Sequence, residues 1–533
     1  MDTSIYGILR NIAPVLILAI KTAILAFFGL SPNADVQDIA TEIITTLARP
    51  ILGTPASLLK SQIQLNYDWG VRGRIWLAKC CVSSFHGVSD FEAGQQGGVV
   101  GLKTALRLAI EELGDGTDIG SEGYKIPEIV DVEAEWVGYR GGVWHTAKRP
   151  DLSERAQYEA MMKEVKEKND GNAPTMLYLH GGAMWCVQAY GLLIHQFLKF
   201  GQAAFLMDPA THRWPISDLA KAASGRCFSV RYRLSPQSVF PAALLDAMMC
   251  YLYLISPPPD SFHKPVPHSQ IVIAADSSGG GIAASLVLLL LTLPRIGITH
   301  IRFANQDVPI PITQPVAGLA ITSPWLDISR SLPSVTRNAR YDIIAPPTPL
   351  QMTPNFPPDK IWPASPPRVE TYCVANMVSH PLVSPLAAKS KLWKGAPPLY
   401  LCVGWESMQD EGEVFARRFH EAGSVVYFRG YVGMPHCFGM VPWNWMGRKA
   451  MRDWGEFCKS VVGRGEEITS SAFWTGKDGQ VTEVDPQKLG FEIKGLRPAM
   501  DDGFVEMSMK EQKRWRVVAE NEMRAQWWEK RKV

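Results

Sequence analysis

"IVIAADSSGGGIAASLVLLLL", residues 271–291, decides how the rest of this chain is read. Ile271–Ala274 has the apolar, β-branched character of a buried strand, and from about Gly279 the apolar run is long enough for a helix. Between them stand Ala275-Asp276-Ser277-Ser278-Gly279. A strand that passes to a helix through one serine is a tight, strained turn of the G-x-S-x-G kind, which lifts the hydroxyl above the end of a parallel sheet. Such a turn has room only for small residues two positions before and two after the serine. Ser277 has Ala275 and Gly279 there, whereas Ser278 would have Asp276, so Ser277 is the expected nucleophile. The helix start beneath it favours developing negative charge. Glycine-rich helix starts also bind phosphate, but here no lysine follows the glycines as in a P-loop, and the G-x-G-x-x-G spacing is missing.

A nucleophilic serine needs donors for an oxyanion, a base, and an acid to orient the base. "LYLHGGAM" (177–184) ends a strand in two glycines, which let a ligand approach bare backbone. The N–H groups of Gly181 and Gly182, with that of Ser278, are the expected oxyanion hole, and His180 the residue that orients the loop. In strand–serine–helix elbows the order along the chain is serine, acid, histidine. Glu406 stands just past the strand "PLYLCVG" and is the expected acid. Asp410 is held in reserve, because Asp410 and Glu411 sit where a helix begins and read as N-terminal caps. His436, in "VGMPHCFGM" after the strand "VVYFRGY", is the expected base.

Outward from these residues, the runs "TMLYLH", "RCFSVRY", "IVIAA", "AGLAITSP", "PLYLCVG" and "VVYFRGY" alternate with helical stretches. That pattern predicts an α/β fold with a mostly parallel sheet flanked by helices. Residues 36–125 carry helical spacing, and 128–140 alternate like an edge strand. The tail from about 466 is polar and ends in a helix bearing Trp515 and Trp527. The expected division is 1–35 anchor, 36–127 helical lid, 128–463 catalytic domain and 464–533 C-terminal extension.

The set of motifs resembles the hormone-sensitive-lipase-like esterases of the α/β-hydrolase fold, especially membrane-anchored fungal members of the steryl acetyl hydrolase kind. The matching pieces are His180-Gly181-Gly182, "YRLSPQSVFPAALLDA" (232–247), "ADSSGG" (275–280), "SPWLD" (323–327), "ESMQDEG" (406–412) and "GMPHCF" (433–438). Ala183 stands where the family often has a third glycine, Ala275 replaces the first elbow glycine, and the acid is glutamate rather than aspartate. The stretch from Trp185 to Ser224 is longer than the family's usual connection. The resemblance implies a serine hydrolase acting on a lipophilic ester without metal or cofactor, with N-terminal helices as a lid. The alternatives are a binding protein on the same fold without turnover, and an amidase or peptidase using the same triad.

The remaining numbers mostly exclude. A net charge of +2 over 533 residues makes no case for nucleic acid. The nine cysteines form no CxxC pair, so neither a zinc site nor a disulfide framework is indicated. Ile12 to Leu30 is different. It holds eleven Leu, Ile, Val or Phe residues and one charge, Lys21. At about −0.3 to −0.6 kcal/mol each the apolar residues outweigh a central lysine costing about +3 kcal/mol. The segment is expected to be an uncleaved single-pass anchor in the endoplasmic reticulum membrane. Arg10 gives a slight bias toward a cytoplasmic N-terminus and a luminal body.

Overall fold

The six apolar runs that the sequence marks as buried strands all appear as strands. The computed structural model describes residues 17–52, 57–66, 68, 70–83, 98–114, 123–167, 172–182, 208–344, 357–441, 443–463, 468–491 and 499–531. Its main sheet has ten strands: β1 (Ile75–Val82), β2 (Val132–Tyr139), β3 (Thr175–Leu179), β4 (Arg226–Val230), β5 (Ile271–Asp276), β6 (Gly318–Thr322), β7 (Leu399–Gly404), β8 (Val426–Tyr431), β9 (Ser471–Thr475) and β10 (Val481–Val484). Their order is β1-β2-β4-β3-β5-β6-β7-β8-β9-β10. Pairings from β4 through β9 are parallel. β1, β2 and β10 run antiparallel to their neighbours.

Every residue of β3, β5, β6 and β7 is buried. Helices on both faces require this, and the strands therefore read as continuous apolar runs. One face is covered by α2 (Leu102–Leu113), α4 (Ala242–Ile255), α5 (Ser277–Arg295) and α6 (Gln409–Glu421); the other by α3 (Pro209–Ala222) and α7 (Trp445–Ser460). α5 is long and apolar enough to cross a bilayer, but 94% of its apolar window is buried inside the protein. It is a core helix.

Three regions differ from the sequence expectations. The stretch 36–127 contains the helices α1 (Ile39–Leu52), Leu58–Leu65 and α2, but also β1, which pairs with β2 along its whole length. The main sheet thus begins well before residue 128. β1 reads "IWLAKCCV", eight residues too short to carry a period of their own between helical neighbours. β2 is consequently an inner strand rather than an edge, with β1 on one side and β4 on the other. The polar tail adds β9 and β10 to the far edge and closes with α8 (Asp502–Glu529), whose Val505, Met509, Arg516 and Glu520 face the body. Trp515 points outward. Near the N-terminus the described helix is Ile17–Phe27; the first residues of the expected span, from Ile12, lie outside the described residues, as does Ala183.

Candidate active site

β5 ends at Asp276, and Ser277 opens α5 with φ +50°, left-handed backbone that a non-glycine residue adopts only under constraint. The constraint is crowding. A Cβ on Gly279 would lie 2.5 Å from the His180 carbonyl oxygen and closer still to that of Leu179, and one on Gly280 would lie 2.6 Å from Pro324 Cβ. The small residues are what allow α5 to start against β3. The Trp325 N–H donates to the Ser277 carbonyl at 2.8 Å, fixing the elbow from the other side.

His436 and Glu406 meet this serine. His436 Nε2 lies 2.9 Å from Ser277 Oγ, and His436 Nδ1 lies 2.5 Å from Glu406 Oε2. All three side chains are buried. Glu406 Oε1 accepts the Gly404 N–H at 3.0 Å, so both carboxylate oxygens are used. Gly404 is glycine because any Cβ there would overlap the Met434 carbonyl, where the loop carrying His436 crosses the end of β7. Burial disfavours the His436 imidazolium, but the side chains around it, the Glu406 carboxylate among them, outweigh burial and hold the ring above the ordinary histidine range. Burial pushes the Cys437 thiol up to about 11. The reserve acid, Asp410, is elsewhere: it pairs with Arg337 at 2.6 Å and accepts the Ser334 N–H at 2.8 Å. From the first turn of α6 this carboxylate points at the Ser334 N–H and the Arg337 guanidinium, not at the histidine loop.

The oxyanion side corrects one expectation. The Gly181 N–H donates to Asp276 Oδ1 at 2.9 Å and so is not free for a substrate oxygen. Gly181 is glycine for another reason: a Cβ there would overlap Asp276 Oδ2 and sit 2.9 Å from Ser277 Cβ. It is a close-approach residue beneath the elbow. The Gly182 N–H has no acceptor among the described residues, and Ser278, in the first turn of α5, has an N–H with no helical partner. His180 is buried and turned toward its own loop. Its Nδ1–H donates to the Gly181 carbonyl at 2.8 Å, its ring stacks on Tyr232 at 4.4 Å, and its carbonyl accepts the Tyr232 hydroxyl at 2.6 Å. Burial, with His212 nearby, lowers its pKa to about 3.

Two residues escaped the sequence reading. Asp276 accepts from Gly181 and from the Tyr178 hydroxyl at 2.7 Å, with His212 Nε2 at 3.5 Å. Burial works against its charge, but these partners outweigh burial and hold its carboxyl below the usual range. Asp342 accepts the backbone N–H groups of His436 and Ser407. Neither partnership has a sequence signal, since the partners lie 64 or more positions away. Among the described residues, no group of three or more His, Cys, Asp or Glu could hold a metal ion.

Residues 200–440 match a family model described as the alpha/beta hydrolase fold. The chain has the α/β-hydrolase fold. The chain is 27% identical to an acetyl-hydrolase of Streptomyces hygroscopicus over 305 residues, 56% of this chain and 79% of that relative. It is also 27% identical to an esterase of Acinetobacter venetianus over 264 residues, 49% of this chain and 73% of the other. Among solved structures, a mutant esterase is similar at 21% identity, covering 81% of this chain and 99% of that one, with TM-score 0.45. The HSL-homolog EstE7 from a metagenome library is similar at 22% identity, covering 62% and 83%, with TM-score 0.40. The motifs of this chain resemble those of hormone-sensitive-lipase-like esterases.

Proposed function

We propose that the protein is a serine carboxylester hydrolase. The observation that carries this reading is the hydrogen-bonded chain from Ser277 Oγ through the His436 ring to Glu406 on a strained strand–helix elbow. His436 Nε2 takes the Ser277 proton as Oγ bonds to the acyl carbon. The carbonyl oxygen gains negative charge and is met by the N–H groups of Gly182 and Ser278 at the head of α5, each such donor contributing about 3 kcal/mol. His436 then returns the proton to the leaving alcohol oxygen. A water repeats the cycle on the acyl-enzyme, with His436 again as base. Glu406 keeps the proton on Nδ1 and stabilises the imidazolium; His180 holds the glycine loop against Tyr232.

The substrate class we infer is a lipophilic ester with a short acyl group, such as an acetylated sterol. The acetyl-hydrolase relative supports the acyl part. The alcohol part rests on the resemblance and on an apolar surface. Ile17, Ile20, Ile24 and Phe27 form one exposed stripe on the N-terminal helix, continued by Phe28 and Leu30. Spacings of three, four and three put them on one helix face. We propose that this face meets a membrane, in the endoplasmic reticulum, and that the segment from Ile12 anchors the protein there.

The test is a panel of p-nitrophenyl esters against p-nitroanilides, with fluorophosphonate labelling of the wild type and of Ser277→Ala. Ester turnover with labelling only in the wild type is expected. Turnover of anilides alone would make the protein an amidase. Labelling and turnover in neither protein would leave a binding protein on this fold.

A further inference from the structure

We propose that Gln37 is a positioning residue for His436, and that the segment Asn33–Arg49 acts with Asp342 as a brace across the loops bearing His436 and Glu406. This rests on the reading of Ser277, His436 and Glu406 as a triad. Both loops leave the sheet at strand ends and are irregular, so the imidazole sits wherever the backbone partners of those loops hold it. One fully buried carboxylate supplies much of that hold. Asp342 Oδ1 accepts the His436 N–H at 2.9 Å, and Oδ2 accepts the N–H of Ser407, next to Glu406, at 2.7 Å. The base and the acid are thereby tied to each other through Asp342.

Asp342 itself lies in a stretch without regular structure. The N-terminal segment fastens that stretch. Arg49 Nε donates to the Asp342 carbonyl at 2.7 Å, its guanidinium also reaches the Arg340 carbonyl, and Asn33 Nδ2 donates to that same carbonyl at 3.0 Å. Gln37 joins the two halves. Its buried Nε2 donates to the Tyr341 carbonyl at 3.1 Å and to the Gly433 carbonyl at 2.7 Å, so one amide touches the Asp342 stretch and the histidine loop together.

Two further observations bear on the same contact. Gly433 has φ +73°, and a Cβ there would lie 2.5 Å from the Val36 carbonyl oxygen, so the N-terminal segment and the histidine loop touch backbone to backbone. The far end of that loop is fastened as well. Asn444 Nδ2 donates to Asp38 Oδ2 at 2.7 Å and to Thr41 Oγ1 at 3.0 Å, and Trp443 Nε1 donates to Thr41 Oγ1 at 3.0 Å. The base is therefore held at both ends of its loop by a segment some 400 residues earlier in the chain. That segment begins directly after the exposed apolar residues Phe27, Phe28 and Leu30.

Gln37→Met keeps the length of the side chain and removes the donor. Gln37→Glu keeps the shape and aims oxygens at two carbonyls. Both are made in the full-length chain and assayed well below their melting temperatures, with a soluble p-nitrophenyl ester and with a fluorophosphonate that reports Ser277 reactivity. A misplacement of about 1 Å at a reacting group costs on the order of a hundredfold. On that scale kcat should fall roughly tenfold in Gln37→Met and about a hundredfold in Gln37→Glu. KM should stay within about twofold, and labelling should slow in parallel with kcat. A purely structural role would lower the melting temperature and leave kcat and labelling of the folded protein unchanged; that result in both variants overturns the proposal. Should neither variant fold, Arg49→Met at the more exposed end of the brace takes their place, with a several-fold loss of kcat and labelling expected and no loss overturning it. A wild type that neither turns over esters nor labels would overturn the triad reading and this inference with it. An active wild type with unaffected variants overturns the inference alone.

Discussion

Glu406→Gln should cost about a hundredfold to ten-thousandfold in kcat/KM, and the size follows from which atoms Glu406 uses. Both carboxylate oxygens are acceptors: Oε1 takes the Gly404 N–H and Oε2 the His436 Nδ1–H. An amide has one oxygen. With that oxygen on Gly404, the NH2 faces Nδ1, the ring must carry its proton on Nε2, and it can no longer accept from Ser277. With the oxygen on His436, the Gly404 N–H faces an NH2 in a buried site, at a cost of about 1–3 kcal/mol. The imidazole can change tautomer and the backbone cannot, so the unproductive arrangement is favoured by about that amount. Losing the charge beside the imidazolium adds about 1.5–3 kcal/mol. The sum, about 2.5–6 kcal/mol, corresponds to roughly a hundredfold to ten-thousandfold in rate. The pH profile gives an independent check. On the proposed mechanism activity needs neutral His436, and Glu406 helps to hold the ring above the ordinary histidine range. The wild-type acid limb should therefore lie above pH 6.5, and in Glu406→Gln the residual activity should persist to lower pH. The measurement is kcat/KM against pH on a soluble p-nitrophenyl ester, with Asp410→Asn alongside. A Glu406→Gln variant within threefold of wild type, or an Asp410→Asn variant that is the more damaged, would refute the reasoning.

Ser277→Ala and His436→Ala should each reduce ester turnover on the order of a millionfold, and the double variant no further, because residues acting as one unit are not additive; initial rates of the three variants decide it. Ser278→Ala should keep most activity, since the proposal uses only its backbone N–H. Gly181→Ala would press a methyl into Asp276 and Ser277 Cβ, and Asp276 cannot withdraw from Tyr178 and Gly181 at once. It should lose about a hundredfold in kcat and about 1–3 kcal/mol in stability, read by kinetics and thermal melting. The full-length protein should stay with membranes washed in alkaline carbonate. Ile17→Lys, which adds about 3 kcal/mol to a marginally favourable insertion, should release it.

Much of the proposed reaction centre was legible in sequence because each part is local. A nucleophile elbow is a five-residue pattern whose small residues are dictated by a tight turn, and Ala275, Ser277 and Gly279 satisfy it within one strand–helix junction. The meeting of Glu406 and His436 with Ser277 was legible because residues just past the ends of parallel strands gather on one side of the sheet, and apolar runs mark those ends. The central strands were legible because burial on both faces leaves unbroken apolar runs.

Only tertiary structure decided the rest, and the reason is that hydrogen-bond partners far apart in sequence leave no period or spacing behind. Nothing in "LYLHGG" tells whether a glycine is bare to receive an oxyanion or to clear a neighbour. The answer for Gly181 depends on Asp276, 95 positions later. β1 gained its identity from pairing with β2 rather than from its own eight residues. Asp342 and Gln37 read as ordinary polar residues. They meet the proposed site because folding brought the segment around Gln37 against the loop bearing His436.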